Sequence, residues 1–96
     1  MIASFADKVT EDLYHGETTA RVRRLPADVV PAALRKLDML EAAHVLNDLA
    51  VPPGNRLETL KGTRKGLHSV RVNDQWRIVF RWLDGAAGDV RLTDYH

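Results

Sequence analysis

Hydrophobic positions along this chain change period near its middle. In the first half they recur at helical spacing; in the second they alternate, as a strand with one buried side requires. Phe5, Val9 and Leu13 form a helical stripe across residues 6–14, and Gly16 predicts its end. Before it, Met1–Phe5 alternates weakly and predicts a short first strand. The basic run 20–25, with Arg21, Arg23 and Arg24, fits either a helical turn or an extended linker. Pro26-Ala27-Asp28 predicts the start of the longest helix, with Asp28 as N-cap and Pro31 in its first turn. Val30, Ala33, Leu34, Leu37 and Leu40 then share one face, with His44 at its limit, while Arg35, Lys36, Asp38 and Glu41 fall mostly outside it. Residues 42–49 fit either its last turns or a loop, and Pro52-Pro53 closes the segment.

After the rigid turn Pro52-Pro53-Gly54-Asn55 comes a short run, residues 56–60, and then a basic glycine loop, Lys61-Gly62-Thr63-Arg64-Lys65-Gly66. Two strand-like runs follow, 67–72 and 75–83, with Asn73-Asp74 between them. That pair tolerates positive φ, so the segment predicts a tight hairpin. Trp76, Ile78, Phe80 and Trp82 point one way, and Arg77, Val79, Arg81 and Leu83 the other. His68, Val70 and Val72 oppose Ser69 and Arg71. A last run, 89–95, opposes Val90 and Leu92 to Arg91, Thr93 and Tyr95, with Gly85-Ala86-Ala87-Gly88 as the turn before it. One sheet face is thus apolar and should receive the long helix. The other carries Arg71, Arg77, Arg81 and Arg91. No repeat or second domain is visible, so residues 1–96 read as one α+β domain, N-terminal helices packed on an antiparallel β-sheet in two layers.

Composition changes this picture in one respect. The net charge of +1 hides an asymmetry: residues 1–51 hold six Lys/Arg against eight Asp/Glu, and residues 52–96 hold eight against five. The sheet half is therefore the anion-facing half, and nucleic acid is the usual large anion. An apolar fraction of 45% is globular composition. With no cysteine there is no disulfide framework and no thiolate zinc site. The N-terminal stretch has an acidic residue by position 7 and no apolar run, so it reads as neither signal peptide nor membrane span. A soluble, cytoplasmic protein is expected.

The candidate chemistry narrows by elimination. His15, His44, His68 and His96 show no ligand spacing, so no metal site and no cofactor is expected. The glycine loop lacks the Walker spacing and precedes a strand, which argues against nucleoside triphosphates. It remains suited to the phosphates of a polymer, because its glycines let the backbone come close while Lys61, Arg64 and Lys65 supply charge. The tail Thr93-Asp94-Tyr95-His96 adds a phenol, a carboxylate and an imidazole. RNA can be cut without metal if a base removes the 2′-OH proton, cations stabilise the phosphorane and an acid protonates the 5′ oxygen. Arginines on the sheet meet the second need, and Glu58, Tyr95 or His96 the others. Tyr95 or Trp76 could stack on a base, although alternation assigns Trp76 to the core.

The run PPGNRLETLKGTRKGLHSVRVNDQWRIVF, followed by the terminal TDYH, resembles the HigB-type toxins of bacterial type II toxin–antitoxin modules, in the RelE-like superfamily. The likeness extends over nearly the whole chain. It implies a RelE-like two-layer fold and a ribosome-dependent endoribonuclease (an mRNA interferase) that cuts mRNA in the ribosomal A site. It also implies a HigA-type helix-turn-helix antitoxin as partner, with operator DNA reached only through that antitoxin. The family's active-site positions fall on Lys61, Arg64, Arg77, Asp94, Tyr95 and His96. The catalytic set is then Arg77, Asp94, Tyr95, His96, Glu58 and Lys61, and the RNA-binding set Arg56, Lys61, Arg64, Lys65, Arg71 and Arg91. One departure is Glu58, where some members carry histidine. Either Glu58 replaces that base or proton transfer moves to His96. The alternative reading is a non-cleaving, translation-blocking or antitoxin-binding module of the same fold.

Overall fold

A computed structural model describes residues 1–94; Tyr95 and His96 lie outside the described residues. Three α-helices, α1 (Lys8–Tyr14), α2 (Ala20–Arg23) and α3 (Val29–Ala42), precede four strands, β1 (Glu58–Thr59), β2 (Leu67–Arg71), β3 (Trp76–Leu83) and β4 (Ala86–Asp94). The strands form one antiparallel sheet in chain order β1-β2-β3-β4. The expected two-layer α+β architecture is observed. Leu37 and Leu40 of α3, Ile78 and Phe80 of β3, and Val90 of β4 are all fully buried in one core between the layers. Burying side chains of this size is the main term holding helix to sheet, about 1.5–3 kcal/mol each.

The N-terminal run does pair, but in parallel. Ile2 and Phe5 bridge Ala87 and Val90, extending the sheet beyond β4. α1 begins where Asp7 accepts from the Thr10 N–H at 3.0 Å, and Gly16 follows its end at φ +74°. Thr10 is fully buried, and its hydroxyl accepts from the Leu92 N–H at 2.9 Å, tying α1 to β4. The basic run resolves as the one-turn helix α2, capped by Thr19.

Several local expectations are corrected. Asp28 precedes α3 in helical conformation and its side chain makes no cap bond. The Val29 N–H bonds the Pro26 carbonyl instead, and Val29, not Val30, is the fully buried residue of that turn. His44 lies beyond α3, and residues 46–50 form a separate 3₁₀ turn. The β2–β3 turn uses no positive φ at Asn73 or Asp74. Asn73 Oδ1 accepts from the N–H groups of Gln75 and Trp76, each at 2.8 Å, so its side chain builds the turn. The β3–β4 turn is only Asp84-Gly85, at φ +52° and +77°, and Ala86, Ala87 and Gly88 already belong to β4. A bulge at Asp89, φ +49°, then resets the alternation so that both Ala87 and Val90 reach the core. None of the described helices is long and apolar enough to cross a membrane.

Candidate RNA-cleavage site

The outer face of the sheet is built by register. Arg71 pairs with Arg77 and Thr93 lies across from Arg77 on β4; Ser69 pairs with Val79, and Val79 with Arg91; Leu67 pairs with Arg81. Glu58 stands opposite Ser69. Cross-strand partners share a side, so Glu58, Ser69, Arg71, Arg77, Val79, Arg81, Arg91 and Thr93 present together. The predicted cationic face therefore exists.

Its centre is Arg77, only 9% exposed. A guanidinium this buried is costly unless its N–H groups find acceptors. Nε donates to Ser69 Oγ at 2.9 Å, and Nη2 to the Arg56 carbonyl at 2.7 Å and the Ser69 carbonyl at 3.5 Å. These bonds fix the plane of the fork before any ligand arrives. The Arg56 carbonyl is itself set by an unusual backbone: Arg56 adopts the left-handed region at φ +45° after the 3₁₀ turn Pro53–Asn55. Asn55 holds that turn. It is fully buried, donates from Nδ2 to the Leu49 carbonyl at 3.1 Å and the Val51 carbonyl at 3.4 Å, and accepts from Lys36 Nζ of α3. Burial pushes the Lys36 ammonium below the usual lysine range, with Arg35 and Arg71 adding to the effect. Sequence reasoning missed both Ser69 and Asn55. Ser69 was legible only as the small polar residue two before Arg71 on the same face; Asn55 looked like an ordinary turn residue.

Of the remaining cations, Arg71 and Arg91 share the sheet face of Arg77, and Arg64 lines a cleft with Arg91. Lys61, Arg64 and Lys65 are exposed on and beside the 3₁₀ turn Gly62–Arg64, which Gly62 and Gly66 make possible at φ +69° and +90°. Arg71 pairs with Asp74, Arg81 with Asp89 at 3.3 Å, and Arg91 with Asp7 at 3.7 Å. The cations that the sequence placed here thus carry carboxylate partners that it did not. Exposed pairs of this kind are worth about 0–1 kcal/mol, so a phosphate can displace the carboxylate. Arg56 keeps its side chain exposed while its carbonyl serves Arg77.

Asp94 stands apart. It is in register with Trp76, which packs against the core, so alternation puts it on the side away from Arg77 and Thr93. It accepts from Gln75 Nε2 at 3.0 Å. Tyr95 and His96, the other tail residues of the catalytic set, lie outside the described residues. Among the described residues no three histidine or carboxylate side chains gather as a metal-binding set.

Beside Arg77 the face opens into a cleft of about 330 Å³. Leu67 and Val79 form its floor, Arg64, Arg81 and Arg91 its rim, and Thr93 joins it to the Arg77 row. Exposed cations around a concave, partly apolar surface suit a single-stranded nucleic acid better than a small metabolite.

Comparison with known proteins identifies the family. A family model described as RelE-like toxin of type II toxin-antitoxin system HigB matches residues 3–96. The chain is 46% identical over 95 residues to Toxin HigB-1 of Vibrio cholerae serotype O1, covering 99% of this chain and 98% of that protein. It is 31% identical over 96 residues, the full length of both, to Endoribonuclease HigB of Proteus vulgaris. Among solved structures, the YoeB–YefM complex from Staphylococcus aureus contains a chain that superposes with a TM-score of 0.63 at 17% identity, covering 100% of this chain and 98% of that one. A YafQ mutant from E. coli superposes with a TM-score of 0.56, also at 17% identity, covering 98% and 93%. These two likenesses speak to the fold alone.

Proposed function

The chain belongs to the HigB family of RelE-like toxins of type II toxin–antitoxin systems, and on that premise we propose that it is an mRNA endoribonuclease that needs the ribosome and no metal. The observation that carries this reading is Arg77, a buried guanidinium whose fork is fixed by Ser69 and the Arg56 carbonyl beside a cation-rimmed cleft. Such a group stabilises charge that grows on a phosphate without having to reorganise during the reaction.

In this mechanism a base takes the 2′-OH proton and the 2′ oxygen attacks the adjacent phosphorus. The phosphorane's charge falls on Arg77 with Lys61 nearby. The P–O5′ bond breaks, and an acid protonates the departing 5′ oxygen, leaving a 2′,3′-cyclic phosphate and a 5′-hydroxyl. Glu58, on the same face as Ser69, is suited to the base role, and His96 to the acid role, with Tyr95 and Asp94 orienting the tail. Arg56, Arg64, Lys65, Arg71 and Arg91 hold the RNA backbone. The partner is a HigA-type antitoxin that neutralises the toxin in the cytoplasm and carries any contact with operator DNA.

Induction of the toxin followed by primer extension on cellular mRNA tests this reading, together with cleavage of purified RNA with and without ribosomes. Discrete breaks within translated sequence are expected for the wild type and none for His96→Ala. Glu58→His is expected to cut faster. Growth arrest without breaks would replace the nuclease by a translation-blocking module. Undiminished cutting by His96→Ala would remove the tail from the chemistry.

A further inference from the structure

Val79 is a buried hydrophobic residue that does not belong to the core. It is 8% exposed, yet it sits on the outer face of the sheet, in register with Ser69 and Arg91, outside the cluster that packs between helices and sheet. With Leu67 it makes an apolar floor under arginine side chains. An arginine-rimmed phosphate site has no need of an apolar floor; a flat aromatic ligand does. The floor lies two residues along β3 from Arg77, about 6.6 Å, which is the reach of a neighbouring nucleotide.

One edge of the cleft is also specified. Asp89 occupies the bulge of β4 at φ +49°, with its N–H bonded to Ser4 Oγ at 2.9 Å, and its carboxylate meets Arg81 Nε at 3.3 Å. The Arg81 guanidinium lies against Gly66, where a Cβ would come within 3.3 Å of Nη1. Arg81 and Asp89 thus stand side by side at the cleft's rim, a donor fork next to an acceptor. A nucleobase edge needs that combination, whereas a phosphate needs only the donors.

We propose that this cleft is a nucleobase subsite: one base flanking the cut phosphate lies on Leu67 and Val79 and turns its hydrogen-bonding edge to the Arg81–Asp89 pair. That a cut is made beside this base rests on the nuclease reading, but binding in the subsite can be tested without cleavage. Asp89 accepts from an exocyclic amine, so adenine, guanine and cytosine are favoured there over uracil, whose edge offers carbonyls on both sides of a single N–H.

Two experiments separate the subsite from the nuclease. In the first, binding of 2′-O-methyl RNA hexamers, which cannot be cut, is measured with one nucleotide made abasic in turn. At one position the wild type is expected to lose about fivefold or more in affinity, and Leu67→Ala is expected to shrink that loss. Equal affinities at every abasic position would overturn the subsite, whether or not the protein cuts RNA. In the second, the 5′ ends of ribosome-dependent cuts are mapped for the wild type, Asp89→Asn and Lys65→Ala. Asparagine also tolerates positive φ, so the bulge is kept while the carboxylate is removed. Asp89→Asn is expected to change the base distribution at one flanking position by about fivefold. Lys65→Ala is expected to lower cutting evenly across sequences. An unchanged distribution in Asp89→Asn would remove Asp89 from base reading. Absence of cuts by the wild type would overturn the nuclease reading and leave the hexamer result standing.

Discussion

Arg77 lies across from Thr93 at one end of the cleft, the basic loop around Gly62–Arg64 reaches the cleft through Arg64, and the two are built in opposite ways. Arg77 is buried, and its fork is fixed through Ser69 and a carbonyl that is itself held by the buried Asn55. The loop's Lys61, Arg64 and Lys65 are exposed on a single 3₁₀ turn. On the proposed mechanism, the difference matches what each charge must do. A group that meets the transition state gains from having its orientation settled in advance; one that holds the backbone needs only positive charge within reach of a mobile polymer.

The largest effect should come from removing orientation while keeping charge. Lysine at position 77 retains the cation but loses the planar fork that spans Ser69 and the Arg56 carbonyl. Arg77→Lys is expected to slow ribosome-dependent cleavage by about 100-fold or more. It should also lower the free energy of unfolding by about 1–3 kcal/mol, because acceptors in a buried site lose their donor. Single-turnover cleavage and a urea titration measure the two. A lysine variant within threefold of the wild-type rate would break the comparison, since charge alone would then suffice.

On the loop, removing charge should produce smaller and graded losses. Arg64→Ala and Lys65→Ala are each expected to weaken binding of uncleavable RNA severalfold. Each should also flatten the slope of log affinity against log salt by about 0.7, the share of one neutralised phosphate on a single strand. Titrations at three salt concentrations read both quantities. A large drop in affinity with an unchanged salt slope would mean that the residue is an oriented group like Arg77, and the contrast between the regions would fail.

The two regions were also unequally legible in the sequence. Period-two alternation put Arg71, Arg77, Arg81 and Arg91 on one face, and the structure has them there, because a strand's side chains must alternate. The helical stripe likewise put Leu37 and Leu40 in the core. Alternation did not reveal Asp7, Asp74 and Asp89 as partners of three of those arginines. Asp74 is near its partner in sequence, but Asp7 reaches Arg91 only through the parallel bridges of the N-terminal run. The support of Arg77 was hidden for the same reason, since Asn55 acts through backbone carbonyls and Lys36, interactions that no spacing encodes. Asp94 shows the converse: its place in a tail motif grouped it with Arg77, whereas register with Trp76 turns it to the other side.

The opposite face of the same sheet supplies the smallest effect, and it sharpens the contrast between a face built for charge and one that resists it. His68 sits on the core side, its ring 5.9 Å from that of Phe80 and its Nδ1 3.0 Å from Thr59 Oγ1. Burial pushes the imidazole below the usual histidine range. The unfolded chain therefore binds a proton at His68 at a higher pH than the folded chain does. Stability from this residue is fully present above the unfolded value, about 6.5, and is lost as pH falls from there through the lower folded value. Unfolding midpoints measured between pH 8 and 5 should decline in the wild type and decline less in His68→Gln. Asp48, held below the usual carboxylate range by the N–H groups of His44 and Val45, contributes its own loss in a more acidic window, so the two separate on the pH axis. An identical pH profile in His68→Gln would mean that the core side of β2 accepts charge as readily as the cleft side does.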